Sequence, residues 1–245
     1  MAKEIDHNSR KNKVLAAVVS AYIEAGEPVS SKELVQKFGL SSATLRNVLS
    51  ELEEEGYLFH PHTSAGRIPT DKGYRYYVDF LMSLDKLTRE QQELILNEYS
   101  SMNHSLEHIL EKTTELVAAL THYTAILSYS ELGDKVFYNG LSNIFQHPEF
   151  RDLQKLALVV RMLEEKKYLF DLINQQAEEK LHIYIGEEAH APVRDISLVV
   201  TSYHGGKKRR PGKLAIIGPS RMSYQSTVST LESMSDILNR VLEEY

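Results

Sequence analysis

A chain of 245 residues is long enough for one or two domains with real cores. Its 42% hydrophobic and 25% charged content is ordinary for a soluble globular protein, and a formal net charge of -6 means that any nucleic-acid contact must rest on a local patch. The absence of cysteine excludes disulfides, thiolate metal ligands and thiol nucleophiles, the N-terminal MAKEIDHNSRKNK lacks the apolar core of a secretory signal, and the longest strongly apolar run, LALVV at 156–160, is far too short to span a bilayer.

In chain order, the first element is a helix from about Arg10 to Ala25, with Leu15, Val18, Val19 and Tyr22 at helical spacing and Gly26 and Pro28 as its stop. VSSKELVQKFG restarts a helix. Ser30 and Glu33 are spaced for a capping box, Leu34 and Phe38 face inward, and Gly39 suits a left-handed cap. A third helix runs from about Ser42 to Glu55, its buried stripe formed by Leu45, Val48, Leu49 and Leu52. Three short helices with tight joints fit a helix-turn-helix. GYLFHPHTSAGRIP then supplies two short extended pieces around a small-residue turn, as expected of a β-hairpin wing. A fourth helix follows, capped near Thr70 and carrying Tyr74, Tyr76, Tyr77 and Phe80.

The polar, amphipathic stretch from about Thr88 to Leu120 reads as a long helix with a break near Met102–Ser105, suited to linking domains or pairing with a partner chain. From Thr124 the texture changes. TAILSY and KVFYNGL read as strands, HPEFRDLQKLALVVRMLEEKKYLFDLINQQ as helical with Pro148 in a first turn, and KLHIYIGEE, ISLVVTSY and KLAIIGP as three more strands. A helix from SYQSTVSTL closes the chain. The simplest assembly is an α+β domain, an antiparallel sheet with helices on one face. The expected division is 1–84 as winged helix-turn-helix, 85–122 as linker or dimerisation helix, and 123–245 as a regulatory domain.

The second helix of a helix-turn-helix enters the major groove. Here its open face offers Ser41, Ser42, Ala43, Thr44, Arg46, Asn47 and Ser50. Ser and Thr can donate to phosphates, Arg46 can make two hydrogen bonds to guanine, and Asn47 two to adenine. Small residues at the helix start let a phosphate approach its N-terminus, and the acidic run Glu53–Glu55 at the far end can point away from DNA. The same pattern also fits a solvated amphipathic helix. The clustering of His60, His62, Thr63, Ser64 and Arg67 in the following loop favours DNA. Ala65–Gly66 lets that turn pack close to a backbone, and Arg67 or His62 is placed to enter a minor groove. The first 83 residues carry 10 Lys/Arg against 11 Asp/Glu, so binding depends on where charge sits.

SSATLRNVLSELEEEGYLFHPHTSAGRIPTDKGYRYYVDFLM resembles the N-terminal winged helix of the HrcA family of bacterial heat-inducible transcription repressors, and TSAGRIPTDKGYRYYVD is its most specific part. GLSNIFQHPEF, IYIGEE and GKLAIIGPSRMSYQSTVSTL are similar to the family's later segments, in the correct order over nearly the whole chain. The resemblance implies a cytoplasmic dimer that binds an inverted-repeat operator in double-stranded DNA and represses chaperone operons. It also implies a chaperonin that keeps the repressor active and is titrated away by unfolded protein under heat. It implies a GAF-like C-terminal domain into which a dimerising domain is inserted. Carried onto this chain, its DNA contacts are Ser42, Thr44, Arg46 and Asn47 on the recognition helix and His62, Ser64 and Arg67 on the wing. Lys72 and Arg75 are carried as phosphate contacts at the start of the fourth helix. One departure stands out. Only SELGDK separates TAILSY from VFYNGL where the family has its large insertion, so that insertion is expected to be reduced or absent, and the 88–120 helix becomes the candidate interface in its place.

The remaining signals carry no chemistry. KKRR at 207–210 reads as a charged hairpin loop in water. His182, His190 and His204 share no ligand spacing, HPEF reads as a helix start, and IIGPSRM has one glycine and no phosphate-loop pattern. No Ser/His/Asp set can be assembled, so neither an enzyme nor a cofactor is expected. Two alternatives remain: a repressor whose GAF-like domain answers to a small effector, by analogy of fold, and an interaction scaffold whose winged helix no longer binds DNA.

Overall fold

The computed structural model describes residues 2–62, 65–84, 87–100, 105–129, 135–174, 180–191, 193–204 and 211–244. The chain divides into two compact units, Met1–Ser83 and Leu84–Tyr245. Ser64, most of the SELGDK joint and the KKRR loop lie outside the described residues.

The first unit packs helices α1 (Ala2–Ala25), α2 (Ser31–Phe38) and α3 (Ser42–Glu54) around Val14, Leu15, Val18, Val19, Leu34, Leu45, Val48, Leu49 and Leu52. The apolar stripe expected on α3 is the buried one. Local chemistry sets the joints. Ser30 and Glu33 form the capping box at the start of α2, and Gly39 ends it at φ 62°. The wing is the hairpin of β1 (Leu58–Phe59) and β2 (Ile68–Pro69), paired Leu58 to Pro69 and Phe59 to Ile68. A further pairing extends it. Val29, between α1 and α2, exchanges two backbone hydrogen bonds of 2.9 Å with Arg67. α4 (Asp71–Tyr76) is capped by the Thr70 hydroxyl, which accepts from the Gly73 N–H at 3.1 Å, and it runs on into a π-helical turn, Tyr77–Leu81.

The second unit is built on a five-stranded antiparallel sheet in the order β4-β3-β7-β6-β5, with β3 Thr124–Tyr129, β4 Lys135–Asn139, β5 Leu181–Ile185, β6 Ile196–Tyr203 and β7 Gly212–Pro219. The stretch expected as a long helix with a break near Met102–Ser105 is two helices, α5 (Arg89–Ser100) and α6 (Leu106–Thr121), with 101–104 outside the described residues. Ser105 starts the second, accepting from the His108 N–H. Both helices belong to the second unit. Ile109, Leu110, Val117 and Ala118 of α6 are buried, and Tyr99 of α5 bonds Thr113 of α6 at 2.8 Å.

Helices cover both faces of the sheet, not one as the sequence suggested. On one face Ile126, Ile196, Leu198, Val200, Ala215 and Ile217 form a core with Val159, Met162 and Leu163 of α7 (Leu153–Glu164) and Leu169, Leu172 and Ile173 of α8 (Lys166–Asn174). On the other face lie α6 and α9 (Tyr224–Glu244), where the Tyr224 and Ser197 hydroxyls meet at 2.7 Å. The reason was present in composition. β3, β6 and β7 are apolar or buried along nearly their whole length, and a strand exposed on one side alternates.

Two segments far apart in sequence meet in this unit. Glu149 of HPEF pairs with Arg221 of PSRM, and His147 stacks on Tyr123 with ring centroids 5.3 Å apart. Burial, reinforced by the Arg221 charge, holds the His147 imidazole below its ordinary pKa of 6.5, against Glu149 and the His122 backbone, which favour protonation. The unfolded chain therefore binds this proton more readily than the folded one. His147 thus makes folding less favourable as pH falls through 6.5 toward its lower folded value, and that penalty disappears as pH rises above 6.5. In thermal melts from pH 7.5 to pH 5.5, His147→Gln is expected to flatten part of the decline. A variant with the wild-type slope would remove His147 from the account.

Candidate nucleic-acid interface

α3 presents Ser41, Ala43, Arg46, Asn47 and Ser50 to solvent, with Ser42 and Thr44 half-buried. Its opening turn is a short chain of hydroxyls. Ser41 is the N-cap, its Oγ accepting from the Thr44 N–H at 3.1 Å and lying 2.9 Å from the Thr44 hydroxyl. Ser42 Oγ lies 3.2 Å from Ser31 Oγ at the start of α2, and it accepts from the Arg46 guanidinium at 3.2 Å. Arg46 is thus braced by one turn of its own helix while its face stays exposed. Asn47 is exposed, and among the described residues its side chain has no partner. No acidic residue stands in the first turn of α3, so the positive end of its dipole is uncompensated and open to an anion.

The wing lies against this helix. Arg46 and Leu49 share a cleft of about 240 Å³ with Val29, Ser30, Ser31, His60, Ala65, Gly66 and Arg67. Gly66 is required by that closeness, because a Cβ there would stand 2.4 Å from both the carbonyl carbon and the oxygen of Val29. The small residues of the turn therefore admit a backbone, as the sequence suggested, but it is the chain's own.

The remaining candidate residues are placed unequally. His62 is exposed in the wing turn, its carbonyl accepting from the Ala65 N–H at 2.9 Å. Arg67 does not project outward. Its Nε stands 2.8 Å from Glu53 Oε2 without an N–H aimed at it, its Nη1 is 2.8 Å from His60 Nε2, and only 20% of its side chain is exposed. Arg67 and Glu53 thus lock the wing to the end of α3, and Glu53 points toward the wing, not away from the site. His60 Nε2 also lies 2.8 Å from the Ala65 carbonyl. A single ring nitrogen either accepts from Arg67 or donates to Ala65, so the tautomer selects which contact is a hydrogen bond.

Lys72 and Arg75 each hold a partner within the first unit. Lys72 donates to the Glu55 carbonyl at 2.7 Å and lies 4.6 Å from the centre of the Tyr57 ring, at the C-terminal end of α3 and so about 20 Å along the helix from Ser41. Arg75 is paired with Asp79 at 3.1 Å. Lys72→Ala is expected to cost a small amount of stability, about 0.5–1 kcal/mol, and to leave the salt dependence of DNA binding unchanged. A salt slope smaller by about 1 would return Lys72 to a phosphate contact.

Sequence reasoning missed the Val29 pairing and the Glu53–Arg67 lock. Neither has a local signal, since each joins residues 14 or more apart. Among the described residues no group of acidic and histidine side chains could hold a metal, and no helix is long and apolar enough to cross a membrane.

Comparison with known proteins places both units. Residues 16–59 match the IclR helix-turn-helix domain, and residues 130–228 match the HrcA protein C-terminal domain. Among curated proteins, the heat-inducible transcription repressor HrcA of Pelotomaculum thermopropionicum is 30% identical, over 96% of this chain and 97% of that one. Its counterpart from Moorella thermoacetica is 29% identical over 97% and 98%. The Pelotomaculum alignment runs over 338 positions while this chain has only 245 residues, so at least 93 positions of that relative have no counterpart here. A crystal structure of a hypothetical protein shares the fold, with a TM-score of 0.74, 20% identity, and coverage of 96% of this chain and 97% of that one.

Proposed function

The chain belongs to the HrcA family, and on that premise we propose that it is a heat-inducible transcription repressor, a DNA-binding regulator and not an enzyme. The observation that carries the reading is the exposed pair Arg46 and Asn47 on α3, beside a helix N-terminus with no acidic residue and a wing locked in place at its flank. In this proposal Met1–Ser83 binds the operator. The α3 N-terminus meets a phosphate through its free N–H groups, Arg46 and Asn47 read base edges in the major groove, and His62 at the wing turn meets the neighbouring backbone. Arg67 acts through the wing it holds. Two copies bind one inverted repeat, so half-site spacing mirrors the twofold axis of the dimer. The protein acts in the cytoplasm, where its operator DNA lies.

A reporter operon placed behind a chaperone-promoter inverted repeat tests this. Wild-type protein is expected to silence it at growth temperature and release it on heating. Arg46→Ala is expected to leave it on at equal protein level. Silencing by the variant would overturn the role of α3.

The heat response follows if the folded repressor is scarce whenever chaperonin is occupied. A loss of about 1–2 kcal/mol of stability changes the active amount several-fold. Purified protein heated and cooled alone is expected to recover little operator binding, and to recover it when chaperonin and ATP are present. Full recovery unaided would contradict the chaperonin account and leave the repressor reading intact.

A further inference from the structure

Operator binding by two copies needs a surface that joins them, and this chain lacks at least 93 positions of its relative. The stretch 88–120 does not supply that surface through α6, because the apolar face of α6 is already buried within its own unit. α7 is different. Its inner face, Val159, Met162 and Leu163, is buried in the core under the sheet. Its outer face is also apolar. Leu153 is 78% exposed and Val160 37%, and Ala157 between them is exposed. Leu153, Ala157, Val160 and Glu164 recur at intervals of four, three and four, the spacing of a helix seam that packs against another helix.

Charges of both signs flank this stripe, with Asp152 capping the start of the helix and Arg161 exposed in its last turn. Arg151 stands exposed just before its start and Glu164 is exposed at its end, and among the described residues neither has an ion-pair partner. A second α7 laid antiparallel, centred at Leu156–Ala157, sets Leu153 of each copy opposite Val160 of the other. At that register Arg151 of each copy falls opposite Met162 of the other, within side-chain reach of Glu164 two positions on, and Asp152 falls opposite Arg161, with the small Ala157 near the axis allowing close approach. A parallel pairing would set Arg151 against Arg151 and Glu164 against Glu164. The surface is therefore self-complementary under a twofold axis.

We propose that the outer face of α7 is the dimer interface of this protein and that its occupant is the antiparallel α7 of a second copy. The inference rests on the dimeric repressor reading above. It sets one face of a 12-residue helix, Leu153–Glu164, in place of the 33-residue stretch 88–120, covering hydrophobic side chains that otherwise face water.

Sedimentation velocity on the full chain over rising concentration tests it. Wild type is expected to shift from monomer to dimer. Leu153→Glu, at a position already in water, is expected to weaken dimerisation at least tenfold with an unchanged circular dichroism spectrum and unchanged affinity for a half-site duplex. Arg151→Glu is expected to weaken it and the Arg151→Glu, Glu164→Arg double variant to restore it. A wild type that stays monomeric throughout, a Leu153→Glu chain that dimerises as wild type, or a double variant no tighter than Arg151→Glu would each overturn the interface. A wild-type dimer that ignores operator DNA would instead overturn the repressor reading and leave the α7 interface standing.

Discussion

Arg46→Ala is expected to weaken binding to the specific operator by about 1–3 kcal/mol, roughly 5- to 150-fold, and to leave the fold intact. The side chain is exposed and, among the described residues, its hydrogen bond runs to Ser42 within the same helix, so removing it opens no cavity and orphans no buried group. Its guanidinium is braced one turn from the helix start, where recognition helices read bases, and a braced fork loses less rotamer entropy on binding than a free one. The loss should fall on the specific duplex more than on a scrambled one. An equal loss on both would make Arg46 a phosphate contact. No loss on either would remove it from the interface, and with it the main support for α3 as the recognition helix.

Gly66→Ala is the second large effect, and it works through the wing. The added methyl would stand 2.4 Å from the Val29 carbonyl group and 2.6 Å from the Pro28 oxygen. These are backbone atoms on a strand pairing, with no flexible side chain to yield. The wing must move away from Val29, breaking both 2.9 Å hydrogen bonds between Val29 and Arg67 and loosening the Glu53–Arg67 lock. Forcing a methylene-sized group into a filled space costs about 1–3 kcal/mol. Chemical denaturation of the full chain should show the first unit unfolding earlier, and operator affinity should fall together with it. Wild-type stability would mean that the wing gives way at no cost and that its contact with Val29 does not position it. Arg67→Ala is a useful companion. It spares the backbone pairing and removes the Glu53 lock together with the His60 contact, so it should reproduce part of the binding defect with a smaller loss of stability.

Much of the first unit was legible because its determinants are local. Ser30 and Glu33 are three residues apart and form the capping box their spacing predicts, Gly39 takes the left-handed cap, and Leu45, Val48, Leu49 and Leu52 are the residues α3 buries. The strands of the second unit were legible for the same reason, and β6 spans ISLVVTSY from end to end. What the sequence hid is non-local. The division of α5 from α6 was marked only as a break, and Ser105 accounts for it as a fresh N-cap. The second helical layer on the sheet was hidden because the apolar face of α7 shares a core with strand residues up to 58 positions away, from Val159 to Ile217, and periodicity does not say which surface a stripe will meet. Candidate site residues divide in the same way. Ser41, Ser42, Thr44, Arg46 and Asn47 lie on one helical turn and a half and stay together in space. Arg67 and Lys72, chosen for their charge, turned to partners inside the unit, Glu53 and the end of α3, which spacing does not reveal.

Fluorescence anisotropy on a chaperone-promoter inverted repeat against a scrambled duplex of the same length, across a salt series, tests the central claim most directly. The expected result is tight binding to the repeat, about one dimer per site, with an affinity that falls steeply with salt and a preference that survives at high salt. Equal and weak binding to both duplexes, by protein that is folded and dimeric, would contradict it.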